Sequence, residues 1–192
     1  MMRIITGKAK GIRLKTLEGD ATRPTSERVK EAVFSMLMGD IEDRVVLDLF
    51  SGSGQMSLEA LSRGASRAVM VDKSNDAIKV ITENAKKTKL DGLCDIRRDD
   101  CLAFLQKNRM KFDLIFVDPP YASGLYRPIF KALLQTQALK PTTLIICESG
   151  EEQVFGDNAE LASSFSIVKQ SRYSKTFITI FSVNEVNGNE NE

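Results

Sequence analysis

Residues 45–54, VVLDLFSGSG, form the stretch that decides the fold. The apolar residues around Asp48 have the composition of a buried strand, and the helical pattern of residues 55–63 starts directly after the turn. Gly52 and Gly54 can adopt positive φ and let a ligand approach the backbone closely. A strand, a glycine-rich turn and a helix in this order predict a ligand-binding loop at the carboxyl end of the first strand of a doubly wound sheet.

Outward from this loop, strand patterns alternate with helical patterns. Successive βα units imply a parallel sheet with helices on both faces. The alternation of strands and helices ends near the C-terminus, where two β-rich stretches are joined by a short turn at Ser174-Lys175. We therefore predict an α/β fold, a doubly wound, mostly parallel, seven-stranded Rossmann-like sheet that ends in an antiparallel hairpin. The predicted strands are 45–49, 68–71, 95–97, 114–117, 143–147, 164–173 and 176–183, with helices at 55–63, 76–87, about 102–105 and about 126–134.

The two ends of the chain differ from this pattern. Residues 3–5 and 12–16 are β-like and predict a hairpin or an extended arm. A helix should follow, capped by Thr25 or Ser26 and ending at Gly39. The last residues are polar and predict disorder. The predicted organisation is a basic N-terminal arm or hairpin (1–22), a main α/β domain (23–183) and a disordered polar tail (184–192).

Composition narrows the possible chemistry. The chain has 192 residues, of which 42% are hydrophobic and 28% charged, enough for a single globular core. It has no histidine, which excludes Ser-His-Asp hydrolysis and His-ligated metal centres. The cysteines Cys94, Cys101 and Cys147 form no C-x-x-C pair, so neither a disulfide framework nor a metal site is expected. No apolar run approaches the roughly 20 residues of a membrane span, and we expect a cytoplasmic protein without membrane contact.

The loop at residues 50–54 is compatible with two cofactors. A carboxylate at Asp72, which ends the second strand, can accept both hydroxyls of a ribose. NAD(P) would place its pyrophosphate at the helix N-terminus, whereas S-adenosylmethionine has no phosphate. Asp48 favours the second cofactor, because an acid would repel pyrophosphate but could hold an ammonium group. The residues that we expect at the cofactor are Asp48, Phe50, Ser51, Gly52, Ser53, Gly54, Asp72, Lys73, Asp100 and Cys101.

Asp100 and Cys101 follow the third strand. Asp100 could accept a hydrogen bond from an adenine amino group, with Cys101 beside the ring. Asp99 or Asp100 could equally cap the helix that follows, and the two roles are compatible.

The tetrapeptide Asp118-Pro119-Pro120-Tyr121 ends the fourth strand, which should lie next to the first. Two consecutive prolines remove two backbone donors and leave their carbonyls as rigidly held acceptors. Asp118 adds a carboxylate acceptor, and Tyr121 adds a plane on which a ring can stack. This set of groups suits a planar, amino-bearing substrate whose nitrogen is aligned with a sulfonium methyl. We predict that these four residues form the catalytic site.

Charge is unevenly distributed, although the net charge is only +1. Residues 1–30 hold eight Lys or Arg against three acids, which indicates either a phosphate-facing surface or a solvated charged face. These cations include Arg3, Lys8, Lys10, Arg13, Arg23 and Arg28.

Several of these stretches resemble a known family. LDLFSGSG (47–54), VDKS (71–74) and DPPY (118–121) resemble the class I amino-methyltransferases. RIITGKAKGIRL (3–14) and RPTSERVKEAVFSML (23–37) resemble the opening of the bacterial 16S ribosomal RNA guanine-N2 methyltransferases, the family named for guanine 966. LEALSRGAS (58–66) matches as well, so the resemblance extends from about residue 3 to residue 183.

This resemblance implies a guanine N2 in small-subunit rRNA as the acceptor, presented by 16S rRNA or a partly assembled small subunit. It implies S-adenosylmethionine as methyl donor, S-adenosylhomocysteine as product, no metal and a monomer. It places Thr25 at the cofactor, near the methionine end of the donor. It also implies that Arg3, Lys8, Lys10, Arg13, Arg23 and Arg28 are candidate RNA contacts. Gln55 departs from the family, whose members usually carry a small residue there, and could alter the packing of the loop.

Other functions remain open on the residues alone. A site built from Asp118–Tyr121 could equally methylate adenine N6 in DNA or the N5 amide of a glutamine in protein. An NAD(P) oxidoreductase would need a Tyr-x-x-x-Lys pair or a histidine acid, and neither is present. A non-catalytic RNA-binding protein with a vestigial pocket would not need the complete Asp118–Tyr121 motif.

Overall fold

A computed structural model describes residues 2–17, 27–37, 39–120 and 123–184. Seven strands form one sheet in the order β3-β2-β1-β4-β5-β7-β6, parallel from β3 to β5 and antiparallel in the pairs β5–β7 and β6–β7. The predicted α/β fold is confirmed. The strands are β1 (Val45–Asp48), β2 (Arg67–Asp72), β3 (Cys94–Arg98), β4 (Phe112–Val117), β5 (Leu139–Ser149), β6 (Phe165–Tyr173) and β7 (Thr176–Val183).

Helices cover both faces of the sheet. They are α1 (Glu27–Met36), α2 (Gln55–Ser62), α3 (Asn75–Thr88), α4 (Cys101–Lys107), α5 (Tyr126–Gln135) and α6 (Ala159–Ser164). Every residue of β4 is buried, as expected for a central strand with a helical layer on each side. In the part of the chain that the structure describes, no helix is long and apolar enough to cross a membrane.

Each face of the sheet has its own apolar core. Alternate strand residues such as Val46 and Phe116 pack with α1, α2 and α3. Their neighbours, Leu47 and Ile115, pack on the opposite face with α4, α5 and α6. On that second face Phe130 makes edge-to-face contacts with three other phenylalanine rings, at centroid distances of 4.7, 4.9 and 5.3 Å. The period of two along each strand therefore decides which face of the sheet a functional side chain occupies.

Differences from the predicted elements have local causes. β5 is longer than the predicted 143–147 at both ends, because Leu139 pairs with Phe112 of β4, while Glu148 and Ser149 pair with β7. The sequence did not predict α6, which is short and has one buried residue, Leu161; Asn158 caps it by accepting from the Leu161 N–H at 3.0 Å. Thr25 and Ser26, the expected caps of α1, lie outside the described residues, as do residues 185–192 of the predicted disordered tail.

The described part of the N-terminal segment is a hairpin that packs on α2. The Ile4 N–H donates to the Ile12 carbonyl at 2.9 Å, and the Gly11 N–H donates to the Ile4 carbonyl at 2.8 Å. Gly7 has a φ of +84°, and a Cβ there would lie 1.8 Å from the Ser62 carbonyl oxygen, so only glycine permits this contact. Ile4 and Leu14 belong to the core of the main domain. The domain boundary expected at residue 22 falls outside the described residues and stays a prediction.

Glu59 of α2 holds the hairpin and α1 together. Its buried carboxylate accepts from the Ile5 N–H at 2.7 Å, from the Thr6 N–H at 3.0 Å and from Arg63 Nε at 2.9 Å. Lys30 of α1 is also fully buried; its Nζ lies 3.4 Å from Glu59 Oε2 and donates to the Arg3 carbonyl at 2.5 Å. Burial lowers the pKa of Lys30, and the Glu59 charge opposes that shift. One carboxylate therefore links three separate segments of the chain.

Glu59→Gln should destabilise the protein by about 3–5 kcal/mol, because it leaves the Lys30 ammonium buried without its counter-charge. Urea unfolding measures this loss. The matched control is Glu83→Gln, which removes a 2.8 Å pair with Lys15 on the surface and should cost at most about 1 kcal/mol. Equal effects of the two substitutions would mean that the hairpin is not anchored through Glu59.

Candidate active site

The first and fourth strands lie side by side and end at the same edge of the sheet. Asp48 of β1 is paired in register with Phe116 of β4, and the Leu49 N–H donates to the Phe116 carbonyl at 3.2 Å. The glycine-rich loop after β1 and the loop that begins at Asp118 therefore open onto one crevice. The strand order brings together the two sequence motifs that we expected to meet.

A carboxylate stands at the carboxyl end of each of five adjacent strands. In sheet order these are Asp100 after β3, Asp72 in β2, Asp48 in β1, Asp118 after β4 and Glu148 in β5. Four of them were predicted. Glu148 was missed, although its position one residue after the predicted strand 143–147 was the available signal.

Asp48 is the most enclosed of these carboxylates. It is 4% exposed; Oδ2 accepts from Ser57 Oγ at 2.9 Å and Oδ1 accepts from the Phe50 N–H at 3.4 Å. Burial raises the pKa of Asp48 from 3.8 to about 6, against these hydrogen bonds, and the Asp72 charge adds to the rise. Above about pH 6 the buried Asp48 carboxylate is therefore negatively charged, and it lies beside the glycine-rich loop. Ser57, on the buried face of α2, was also missed by sequence reasoning.

The loop itself has the backbone geometry that its glycines predict. Gly52 and Gly54 have φ values of +53° and +79°, and a Cβ on Gly54 would lie 2.6 Å from Met70 Cε. Ser51 is buried, and its N–H donates to the Val71 carbonyl at 3.0 Å. The loop is thus tied to β2, whose terminal residue is Asp72. Gln55, the departure from the family pattern, is buried as the first residue of α2.

Asp72 supports the loop directly. Its Oδ2 accepts from the Gly52 N–H at 2.9 Å, and its Oδ1 accepts from the Ser74 N–H at 2.8 Å. Each carboxylate oxygen has a second lone pair, so these bonds leave acceptor capacity for ribose hydroxyls. Lys73, which follows, is exposed.

Asn84 of α3 is a second support that sequence reasoning missed. Its fully buried amide donates to the Ser53 carbonyl and to the Lys15 carbonyl, both at 2.9 Å, and accepts from the Lys15 N–H at 2.8 Å. It joins the cofactor loop to the end of the N-terminal hairpin. The signal was a polar residue three positions after Ile81 on the apolar face of an amphipathic helix.

Asp100 caps α4, which was one of its two predicted roles. Its Oδ1 accepts from the Leu102 N–H at 2.9 Å and from the Ala103 N–H at 3.2 Å. Cys101 beside it is buried, and burial raises the pKa of its thiol to about 11, so the thiol stays neutral. Both residues lie on the edge of the sheet where the adenine end of a nucleoside cofactor is expected.

The loop after β4 combines an acid with two prolines. Asp118 is exposed on the side of the crevice and Pro119 is buried, while the Pro120 carbonyl accepts from the Ser123 N–H at 3.1 Å. The surrounding protein desolvates the Asp118 carboxylate, which raises its pKa well above the ordinary value. The negative charges of Glu148 and Asp48 raise this pKa further. Tyr121, the predicted stacking residue, lies outside the described residues.

A cavity of about 550 Å³ adjoins this loop on the side of β5. Tyr126, Ser149 and Val154 are among its lining residues, and the Tyr126 hydroxyl donates to the Glu148 carbonyl. The cavity lies on the face of the sheet that α5 covers, because Tyr126 and Val154 belong to the apolar core of that face.

The basic residues of the hairpin face solvent. Arg3, Lys8, Lys10 and Arg13 are all exposed, and so is Arg28 of α1. Arg3 forms a 3.2 Å ion pair with Glu27, and a depression of about 390 Å³ lies between Arg3, Gly11, Arg13 and Glu27. Arg23 and Thr25 lie outside the described residues.

The donor set suits S-adenosylmethionine better than a dinucleotide. A buried carboxylate at Asp48 can hold an ammonium group, and Asp72 can accept from a ribose. The same two negative charges oppose a pyrophosphate at this loop. Within the described ranges no cluster of three metal-ligating side chains occurs.

Comparison with known proteins agrees with this geometry. The model of the family described as conserved hypothetical protein 95 matches residues 2–182. The chain is 32% identical to YlbH of Bacillus subtilis, whose name describes it as a candidate rRNA methyltransferase, over 94% of this chain and 98% of that protein. It is also 32% identical to ribosomal RNA small subunit methyltransferase D of Escherichia coli (strain K12), over 79% of this chain and 76% of that protein. Among solved structures, yhhF of Escherichia coli, described as a candidate methyltransferase, superposes with a TM-score of 0.83 at 28% identity, covering 95% of this chain and 98% of that one.

The raised pKa of Asp48 predicts how stability depends on pH. The folded protein binds this proton more tightly than the unfolded chain, so the free energy of unfolding falls as pH rises from about 4 to about 6 and stays lowered above that range. Asp48→Asn removes the free-energy cost of ionising this buried carboxyl group. The substitution should therefore raise Tm at about pH 8, and the gain should vanish near pH 4.

Thermal unfolding at several pH values measures this gain. Asp157→Asn is the control, because Asp157 is a fully solvated acid at 96% side-chain exposure and should give no such dependence. A Tm gain for Asp48→Asn that is the same at both ends of the pH range would contradict the assignment.

Proposed function

Because this chain belongs to the conserved hypothetical protein 95 family and is similar to ribosomal RNA small subunit methyltransferase D, we propose that it methylates the N2 amino group of a guanine in 16S rRNA. The similarity to proteins named as rRNA methyltransferases supports methylation of rRNA with S-adenosylmethionine as donor. The choice of guanine N2 and the roles of the individual residues are our proposal. We expect the enzyme to act as a monomer in the cytoplasm, on 16S rRNA or a partly assembled small subunit.

The observation that supports this function is the lateral pairing of β1 with β4. It sets Asp48 and the glycine-rich loop one strand away from Asp118, and adjacent strands are about 4.8 Å apart. A donor held at the loop and an amine held at Asp118 are thereby neighbours. Both substrates can be aligned without any large movement of the main chain.

When bound, S-adenosylmethionine supplies a methyl group on a positively charged sulfur. The residues of the chain bind the methyl donor and the acceptor amine and orient them. Asp48 holds the ammonium end, and Asp72 holds the ribose. Asp118 and the Pro119 carbonyl accept the two amine hydrogens, which turns the nitrogen lone pair out of the ring plane. The raised pKa of Asp118 suits this carboxylate for holding the proton that the amine releases.

The target base must leave its stack to reach this crevice, which costs a few kcal/mol unless it is already unpaired. Tyr121 is proposed to stack on the extruded ring. The exposed cations of the hairpin, with Arg23 and Arg28, are proposed to bind the RNA backbone. Because the Ile5 and Thr6 N–H groups donate to Glu59, the backbone of the hairpin that carries Arg3, Lys8, Lys10 and Arg13 is anchored to α2.

The direct test is transfer of an isotope-labelled methyl group to small-subunit rRNA, followed by digestion and mass spectrometry of the nucleosides. N2-methylguanosine is the expected product. Labelled N6-methyladenine in DNA or N5-methylglutamine in protein, with unlabelled rRNA, would replace our proposal with one of the other amino-methyltransferase activities.

Asp118→Ala should reduce methyl transfer at least about 100-fold, because it removes an acceptor that is preorganised for the reacting amine. Binding of S-adenosylmethionine, measured by calorimetry, should be unchanged. Asp157→Ala, another exposed acid, is the control for both measurements. Wild-type turnover by Asp118→Ala would remove Asp118 from the mechanism.

Replacement of Arg3, Lys8, Lys10 and Arg13 together by Ala should weaken RNA binding and lower the slope of log K against log salt by up to about 3, since each lost phosphate contact contributes about 0.7. The matched variant replaces Lys107, Arg109, Lys111 and Lys131, four exposed cations in and around α4 and α5. Equal slopes in the two variants would show that the hairpin does not bind RNA.

A further inference from the structure

Glu148 occupies a position at the site that the reaction as described above does not use. It lies in β5, whose Ile146 and Cys147 are paired in register with Phe116 and Val117 of β4. Continuing this register places Glu148 beside Asp118, one strand spacing away. The two carboxylates are close enough for Glu148 to raise the pKa of Asp118.

Strand alternation gives the direction of the Glu148 side chain. Ile146 belongs to the core on the α1 and α2 face, together with Phe116, whereas Cys147 belongs to the opposite core. Glu148 therefore shares the face of Ile146, which is also the face of Asp48 and Asp118. Its side chain is partly exposed, so a substrate can reach it.

We propose that Glu148 selects guanine by accepting a hydrogen bond from the ring N1–H while Asp118 holds the neighbouring 2-amino group. This inference rests on the proposed function. Guanine presents two adjacent donors, N1–H and the 2-amino group, and the site offers two adjacent carboxylates. Adenine presents a lone pair at N1, which a carboxylate repels, and a glutamine side chain has no ring N–H.

The inference gives Glu148 a different role from Asp118. Asp118 contacts the reacting amine, so its loss should affect every substrate. Glu148 contacts a neighbouring ring atom, so its loss should affect the choice between bases. The readout is therefore a ratio of kcat/KM values for two bases, which a merely structural role would not change.

The test uses small-subunit rRNA fragments that carry either guanine or 2-aminopurine at the position that becomes methylated. 2-Aminopurine keeps the 2-amino group but has a lone pair in place of N1–H. The wild-type protein should prefer guanine by on the order of 10–100-fold in kcat/KM. Glu148→Gln should reduce this preference to near unity, because its amide can accept from N1–H or donate to the N1 lone pair.

Two further variants make the result decisive. Glu152→Gln removes an exposed acid beyond the end of β5 and should keep the wild-type preference. Glu148→Asp keeps the charge on a shorter side chain and should lower the rate while still favouring guanine, and it serves as the test if Glu148→Gln does not fold.

An unchanged preference in Glu148→Gln, with both rates lowered equally, would overturn the role of Glu148 while leaving the proposed function in place. Failure of the proposed function would look different, because the wild-type protein itself would then not methylate guanine in the rRNA fragment.

Discussion

The parallel pairing of β1 with β2 on one side and with β4 on the other is the constraint on which the site depends. Parallel strands end at the same edge of a sheet, so every residue placed just after a strand shares that edge. Here five adjacent strands each deliver a carboxylate to it. A slip of one residue in the β1–β4 register would send Asp48 and Asp118 to opposite faces. The apolar cores on the two faces oppose such a slip, because it would remove Val46 or Phe116 from the core in which it packs.

Grouping acids in this way destabilises the folded protein, and the arrangement is consistent with a cationic partner. The pKa values of Asp48 and Asp118 are both raised, and desolvation is the largest cause in each case. Groups with strongly shifted pKa values are common where a ligand or a reaction uses them. A positively charged sulfonium and its ammonium group would relieve the repulsion between these acids. The same charge pattern argues against a pyrophosphate cofactor at this loop.

The sequence predicted the strands and the two loops at their ends well, because both depend on local patterns. The run VVLDLFSGSG and the apolar strand before Asp118 specify buried strands and their ends without long-range information. Glu148 was missed because a single acid after a strand has no distinctive local pattern, and its significance depends on the β4–β5 register. Glu59 and Lys30 were missed for a similar reason, since charged residues on helices usually face solvent and only packing buries them. The helix α6 was not predicted, because its one buried leucine does not produce a helical pattern of apolar residues.

The most direct measurement of the central claim is a crystal structure of the protein with S-adenosylhomocysteine. Our account predicts that the amino group of the product contacts Asp48 and its ribose contacts Asp72. Its sulfur should then face the gap between the glycine-rich loop and Asp118, where the incoming amine would lie. A product bound with its sulfur turned away from Asp118, or bound at a different edge of the sheet, would contradict the account.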